Sequence, residues 1–142
     1  MKRILFILLL TTLFISCNEK DFTNQKPLIE GYWEIKTVEM PDGATKEFTV
    51  NTSVDYIKIM GDSGVRKKLM PRLDGSFREF PSSEKFEFVT RNDSLLMFYT
   101  TPFANWMETV VQVNETEFVV KNKDGKRYVY HRFENIDFQT EE

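Results

Sequence analysis

Leu28-Ile29-Glu30-Gly31-Tyr32-Trp33-Glu34-Ile35-Lys36-Thr37 is the stretch on which the fold turns. Trp33, Ile35 and Thr37 alternate with Glu34 and Lys36, which is the period of a half-buried β-strand. Just before it, Pro27–Glu30 is the one place where a helical turn fits. No longer window carries apolar residues at helical spacing. Working outward, the same strand chemistry recurs over 31–40, 55–60, 65–70, 76–80, 85–90, 94–100, 105–113, 116–121 and 126–134. These segments are rich in Val, Ile, Thr, Phe, Tyr and Trp, as a pleated surface prefers. Between them lie Asp42-Gly43, Asp62-Ser63-Gly64, Asp74-Gly75, Asn92-Asp93, Asn114-Glu115 and Asp124-Gly125. Such residues tolerate the positive φ angles of tight hairpins. Consecutive hairpins make antiparallel neighbours, and closing the meander removes its exposed edges. The expected fold is all-β: a single small up-and-down antiparallel barrel of eight or nine strands, with a two-sheet sandwich as the alternative.

The start of the chain has a different character. Lys2 and Arg3 precede an uncharged, mostly apolar run from Ile4 to Ile15, followed by Ser16 and Cys17. A basic start, an apolar core and a small residue before a cut make a secretory signal peptide. The run is too short to span a bilayer, which takes roughly 20 apolar residues. Phe14-Ile15-Ser16-Cys17 resembles the lipobox of bacterial lipoproteins, although Phe14 stands where leucine is usual. The resemblance implies cleavage before Cys17 and a thioether from its sulfur to a diacylglycerol. Two or more acyl chains suffice for stable anchoring. Cys17 is the only cysteine, so no internal disulfide is possible. The expected organisation is a signal peptide over 1–16, a lipidated cysteine with a flexible tether over 17–27, and a barrel domain over 28–142. Asn18-Glu19-Lys20-Asp21 is similar to the charged export signals of Bacteroidota surface lipoproteins. The expected location is therefore the outer membrane, on its periplasmic or its cell-surface side.

Charge narrows the partners. The chain has 19 basic and 22 acidic residues. Loss of Lys2 and Arg3 leaves 17 against 22, about −5, which disfavours nucleic acid and electrostatic docking on anionic lipid. Eleven of the 13 phenylalanines follow Cys17, with both tryptophans and all five tyrosines, so a chain of this length can still bury a core.

Gly31-Tyr32-Trp33, opening the first strand after a short helical turn, resembles the Gly-x-Trp signature of lipocalins, and in particular the compact lipocalin-like domains of Bacteroidota lipoproteins. The resemblance covers about Leu28 to Phe133. It implies that Trp33 plugs the closed end of a barrel and that a C-terminal arginine packs over its ring. Arg132, in Tyr130-His131-Arg132-Phe133, fits that arginine best, with Arg127 as second choice. In that family the pair is structural.

Catalytic motifs are absent. His131 is the only histidine, and Cys17 is committed to the lipobox, so neither a zinc cluster nor a Cys-His nucleophile can be assembled. No Gly-x-Ser-x-Gly elbow exists, and the six glycines are scattered, most of them in turns. Glu108, Glu115, Glu117 and Glu134 could pair for acid–base work on a glycoside, but nothing singles out one pair. The expectation is a non-catalytic protein without metal or cofactor. Binding remains. Tyr99, Pro102, Phe103 and Trp106 lie around one connection and can form a lid over a barrel mouth, a contact patch for another protein, or filling for the barrel itself. Two functions stay open: a binding module for a small apolar ligand, or an accessory subunit of an outer-membrane complex with a filled barrel.

Overall fold

A computed structural model describes residues 20–134 of the 142. The expected signal peptide, Cys17 and the last eight residues lie outside the described residues. A short helix, α1 (Lys26–Ile29), is followed by nine strands: β1 (Gly31–Glu39), β2 (Thr45–Glu47), β3 (Val54–Met60), β4 (Ser63–Pro71), β5 (Phe77–Arg91), β6 (Ser94–Thr100), β7 (Asn105–Val113), β8 (Glu117–Asn122) and β9 (Arg127–Arg132). From β3 to β9 each strand pairs antiparallel with the next, and β9 returns to β1. The first half of β1 pairs with β3 and its second half with the three-residue β2. The result is a closed eight-strand barrel with β2 attached as an extra strand.

Turn chemistry sets the register. Asn92 and Asp93 have φ of 50° and 55°, and link Arg91 to Ser94 through a two-residue hairpin. The β3–β4 hairpin turns at Gly61-Asp62, with Gly61 at φ 66°, so Ser63 and Gly64 already belong to β4.

Three expectations need correction. Segments 76–80 and 85–90 are not separate strands but parts of one 15-residue strand, β5. Pro81-Ser82-Ser83 reads as a loop, yet Pro81 falls in an irregularity of the β4–β5 ladder between the pairs Lys67↔Ser83 and Leu69↔Glu79. A proline is tolerated there because no ladder bond needs its missing N–H. Beyond that point the hairpin reaches the outer wall, where Phe77 stacks on Tyr32 at 5.0 Å and meets Phe133 edge-on at 6.1 Å. Second, the sequence reading missed β2, whose residues are all exposed and carry no apolar signal. Third, the stretch expected to be a tether, 17–27, contains an apolar residue that packs on the barrel. Phe22 is only 6% exposed and packs with Ile29, Trp33, Phe88 and Leu95 beneath the barrel. Its carbonyl accepts from the amides of Gln25 and Lys26, and Lys26 pairs with Asp62 at 2.7 Å.

The inward faces form the core. Trp33, Ile57, Phe86, Phe88, Leu95, Met97, Val110, Phe118 and Val120 are buried in one cluster with Phe22, Ile29 and Tyr99. Gly64 makes room for this packing, since a β-carbon there would collide with the ring of Phe86 and the carbonyl of Lys58.

Candidate functional site in the barrel lumen

One end of the barrel is sealed. Trp33 is buried, and its indole N–H donates to the Ile29 carbonyl at 2.8 Å. The Arg132 guanidinium lies over the Trp33 ring, 3.8 Å from its centroid. Arg132 also donates to the carbonyls of Leu28 (2.9 Å), Glu30 (2.7 Å) and Glu115 (3.1 Å). A helix end leaves carbonyls without intrahelical partners, and here one planar fork of donors satisfies two of them while covering the indole. Gly31, at φ +130°, is the residue that permits this, because any β-carbon would strike the Arg132 Nη1 atom. Arg127 instead pairs with Glu39 at 3.0 Å, near the other end. The seal is structural.

Toward the opposite end the interior changes from apolar to polar. Arg66 on β4 faces inward opposite Ile57 and Glu84. Its Nε donates to Glu84 at 2.6 Å and its Nη1 to Glu108 at 3.3 Å. Its guanidinium lies 4.4 Å from the centroid of Tyr99, on which Trp106 is stacked at 4.9 Å and 7°. Asp55, also buried, pairs with Lys68 at 3.0 Å, and Asn122 donates to the Tyr128 hydroxyl at 3.4 Å. Burying one cation among two carboxylates is sustainable because every charge has an opposite partner within reach.

The electrostatics follow from that burial. Removal from water pushes the Glu108 carboxyl above the usual glutamate range, although the Arg66 charge and hydrogen bonding from Trp106 pull the other way. Burial likewise raises the Tyr99 and Tyr130 hydroxyls, again against the pull of Arg66. Burial acts to discharge Arg66 itself, but Tyr99, Glu108, Tyr130 and Glu84 keep it firmly protonated.

The aromatic connection divides. Tyr99 and Trp106 are cross-strand partners whose rings point inward beside Arg66. Phe103, in contrast, is 96% exposed. It borders an open groove of about 810 Å³ on the rim, with Pro81–Lys85 on one side and Thr100–Pro102 on the other. Tyr99, Phe103 and Trp106 therefore do not form one patch. His131 is exposed, 3.6 Å from Glu117. Among the described residues no three His, Cys, Asp or Glu side chains converge as a metal site would require.

Sequence reading missed Arg66, Glu84 and Asp55 as lumen residues, and it weighed Glu108 only as a catalytic acid. A signal was present. Glu84 shares an alternating face with Phe86 and Phe88, and Glu108 shares one with Trp106 and Val110. Two carboxylates continuous with apolar faces require a buried cation. Arg66 itself is hidden in Arg66-Lys67-Lys68, which reads as a solvated run.

A closed antiparallel barrel of eight strands, with a tryptophan and an arginine sealing its helix-capped end, has the architecture of a lipocalin. The chain belongs to the lipocalin-like domain family, whose profile matches residues 29–120. Among solved structures it is similar to a lipocalin-like protein from Bacteroides uniformis ATCC 8492, at 10% identity over 75% of this chain and 99% of that one, with a TM-score of 0.47. An uncharacterized protein from Bacteroides eggerthii DSM 20697 matches at 12% identity, over 73% and 98%, with a TM-score of 0.46. Apocrustacyanin C1 matches at 10% identity, over 82% and 67%, with a TM-score of 0.47. No curated protein matches this chain.

Proposed function

We propose that this is a lipid-anchored, non-catalytic binding protein of the outer membrane, whose barrel takes a small, mostly apolar ligand with an uncharged polar end. The observation that carries the reading is the layered lumen: a floor of Trp33, Phe118 and Phe86 beneath the Trp106–Tyr99 stack and Arg66. Small-molecule sites combine apolar walls with a few placed polar groups in this way. Charge sets the ligand's polar end. Arg66 is already engaged by Glu84 and Glu108, so a further carboxylate finds no free cation to pair with, whereas a hydroxyl or amide can share the guanidinium. The signal segment ending at Cys17 supports anchoring, and the lipocalin-like fold supports binding rather than catalysis.

The test uses residues 18–142, expressed without the anchor and carrying Trp33→Phe so that Trp106 alone reports. Titration with a long-chain alcohol should blue-shift its emission, and native mass spectrometry should show one alcohol per chain. The matching fatty acid should bind at least tenfold more weakly near neutral pH. Equal binding of acid and alcohol would refute the charge argument, and binding of neither would refute the lumen site.

Exposed Phe103 beside its groove favours a second reading, an accessory subunit that contacts an outer-membrane protein through this rim. That reading requires Phe103→Ala to lose a partner captured from solubilised envelope while ligand binding is unchanged.

A further inference from the structure

Phe22, which follows Cys17 closely in the sequence, and the candidate site lie at opposite ends of the barrel. Phe22 is packed under the sealed end against Ile29 and Phe88, and Lys26 is held to Asp62 in the β3–β4 turn. Asp21 is already ordered, its carboxylate accepting from the Thr23 amide at 2.9 Å. Only four residues, and so five Cα-to-Cα steps, therefore separate Cys17 from a side chain fixed in the barrel floor. At about 3.5 Å per residue, even a fully extended connection reaches no more than about 17 Å. The barrel wall is longer. A nine-residue strand such as β1 rises about 3.3 Å per residue, and a tilt of roughly 40° leaves about 23 Å along the axis.

From this inequality we infer that the sealed end, with the turns Gly61-Asp62, Asn92-Asp93 and Asn114-Glu115, rests against the lipid headgroups while the Arg66–Trp106 end points into water. To bring that end to the bilayer, the connection would have to span the wall, and it is too short. The turns of the sealed end are polar, so that end stops at the headgroup layer and does not enter the hydrocarbon. Its three turns carry Asp62, Asn92, Asp93, Asn114 and Glu115, and Met60 is exposed beside the first of them at the end of β3. The bulky exposed residues Phe103 and Leu73 lie on connections that leave from the other end. The site therefore exchanges its ligand with the aqueous phase or with a facing partner, and not with the membrane to which the protein is tied. The inference rests on the lipoprotein reading.

The test uses the full chain, matured in its host so that Cys17 is acylated and no free thiol remains. Glu115→Cys and Asp124→Cys place single labels beyond the two ends of β8, the first beside the Arg132 seal and the second at the opposite end. Each labelled protein is reconstituted in phosphatidylcholine–phosphatidylglycerol vesicles containing an acceptor-labelled lipid. Energy transfer should be several-fold stronger from position 115 than from 124. Inserting twelve Gly/Ser residues after Asn18 should erase the difference. Equal transfer without the insertion, or stronger transfer from 124, would overturn the orientation. Failure of the chain to float with vesicles or to take up labelled palmitate would instead remove the anchor itself.

Discussion

At the scale of single residues, the lumen is held together by unlike charges that share little water, and this gives it a pH signature. Glu108 has a folded-state pKa above the ordinary glutamate value because burial penalises its charge. The native state then holds this proton more tightly than the unfolded chain does. Its contribution to stability is full below the ordinary value and is lost as pH rises through the raised one. Glu108→Gln removes the titration while keeping the size. The stability of wild type relative to this variant should decline as pH rises above the ordinary glutamate range, read from denaturant midpoints at each pH. A flat difference would show that Glu108 binds its proton equally well in both states. Asp21 and Asp74 act in the opposite direction, held low by bonding to Thr23 and Ser76, but they cancel in the comparison because both proteins keep them. The same residues mark where the sequence was hard to read. Trp106 and Tyr99 could be named from it, but Arg66 could not, because only the neighbouring strands reveal that this one member of a basic run turns inward.

At the scale of elements, most strands were legible because hydrophobic alternation and turn residues agree. They disagree in β5, where a proline interrupts a strand at an irregularity only the partner strand can reveal, and in β2, which buries nothing. Phe22 was unreadable for a related reason: one apolar residue in a polar segment has no period, and only the floor it fills gives it a place. The β5–β6 hairpin shows the agreement most clearly. Asn92 and Asp93 both adopt positive φ, which costs a non-glycine residue about 1 kcal/mol or more. Asp93→Gly should therefore raise the unfolding free energy by about 0.5 kcal/mol, after the extra chain entropy of glycine is subtracted. Asp93→Val should lower it by about 1–2 kcal/mol, since a branched side chain resists that region. Equilibrium urea unfolding of the two variants checks both signs.

At the scale of the whole molecule, the seal joins the first strand to the last. Trp33 pairs with Arg132 across β1 and β9, and the guanidinium covers the indole. Trp33→Ala should cost about 3–5 kcal/mol, as large-to-small changes in a core do. Arg132→Ala should cost less, and the two losses should fail to add by about 0.5–2 kcal/mol, the range of a guanidinium–indole contact. Losses that add within about 0.3–0.5 kcal/mol would mean the contact contributes nothing. The Gly-x-Trp stretch could announce this seal from sequence. The charged interior above it could not be announced, because it depends on four strands meeting.

The Arg132 bonds also impose an order in time. They reach Leu28 and Glu30, 104 and 102 residues earlier in the chain. A growing polypeptide can form its local hairpins early, but its first strand has no permanent neighbour on one side until the last is synthesised. Pairings so distant in sequence are slow to find, because loop closure must precede any gain from contact. A nascent chain that stops short of β9 is thus an open sheet with unpaired strand edges. Completion of the final strand pairs both edges at once and brings in the arginine that locks them.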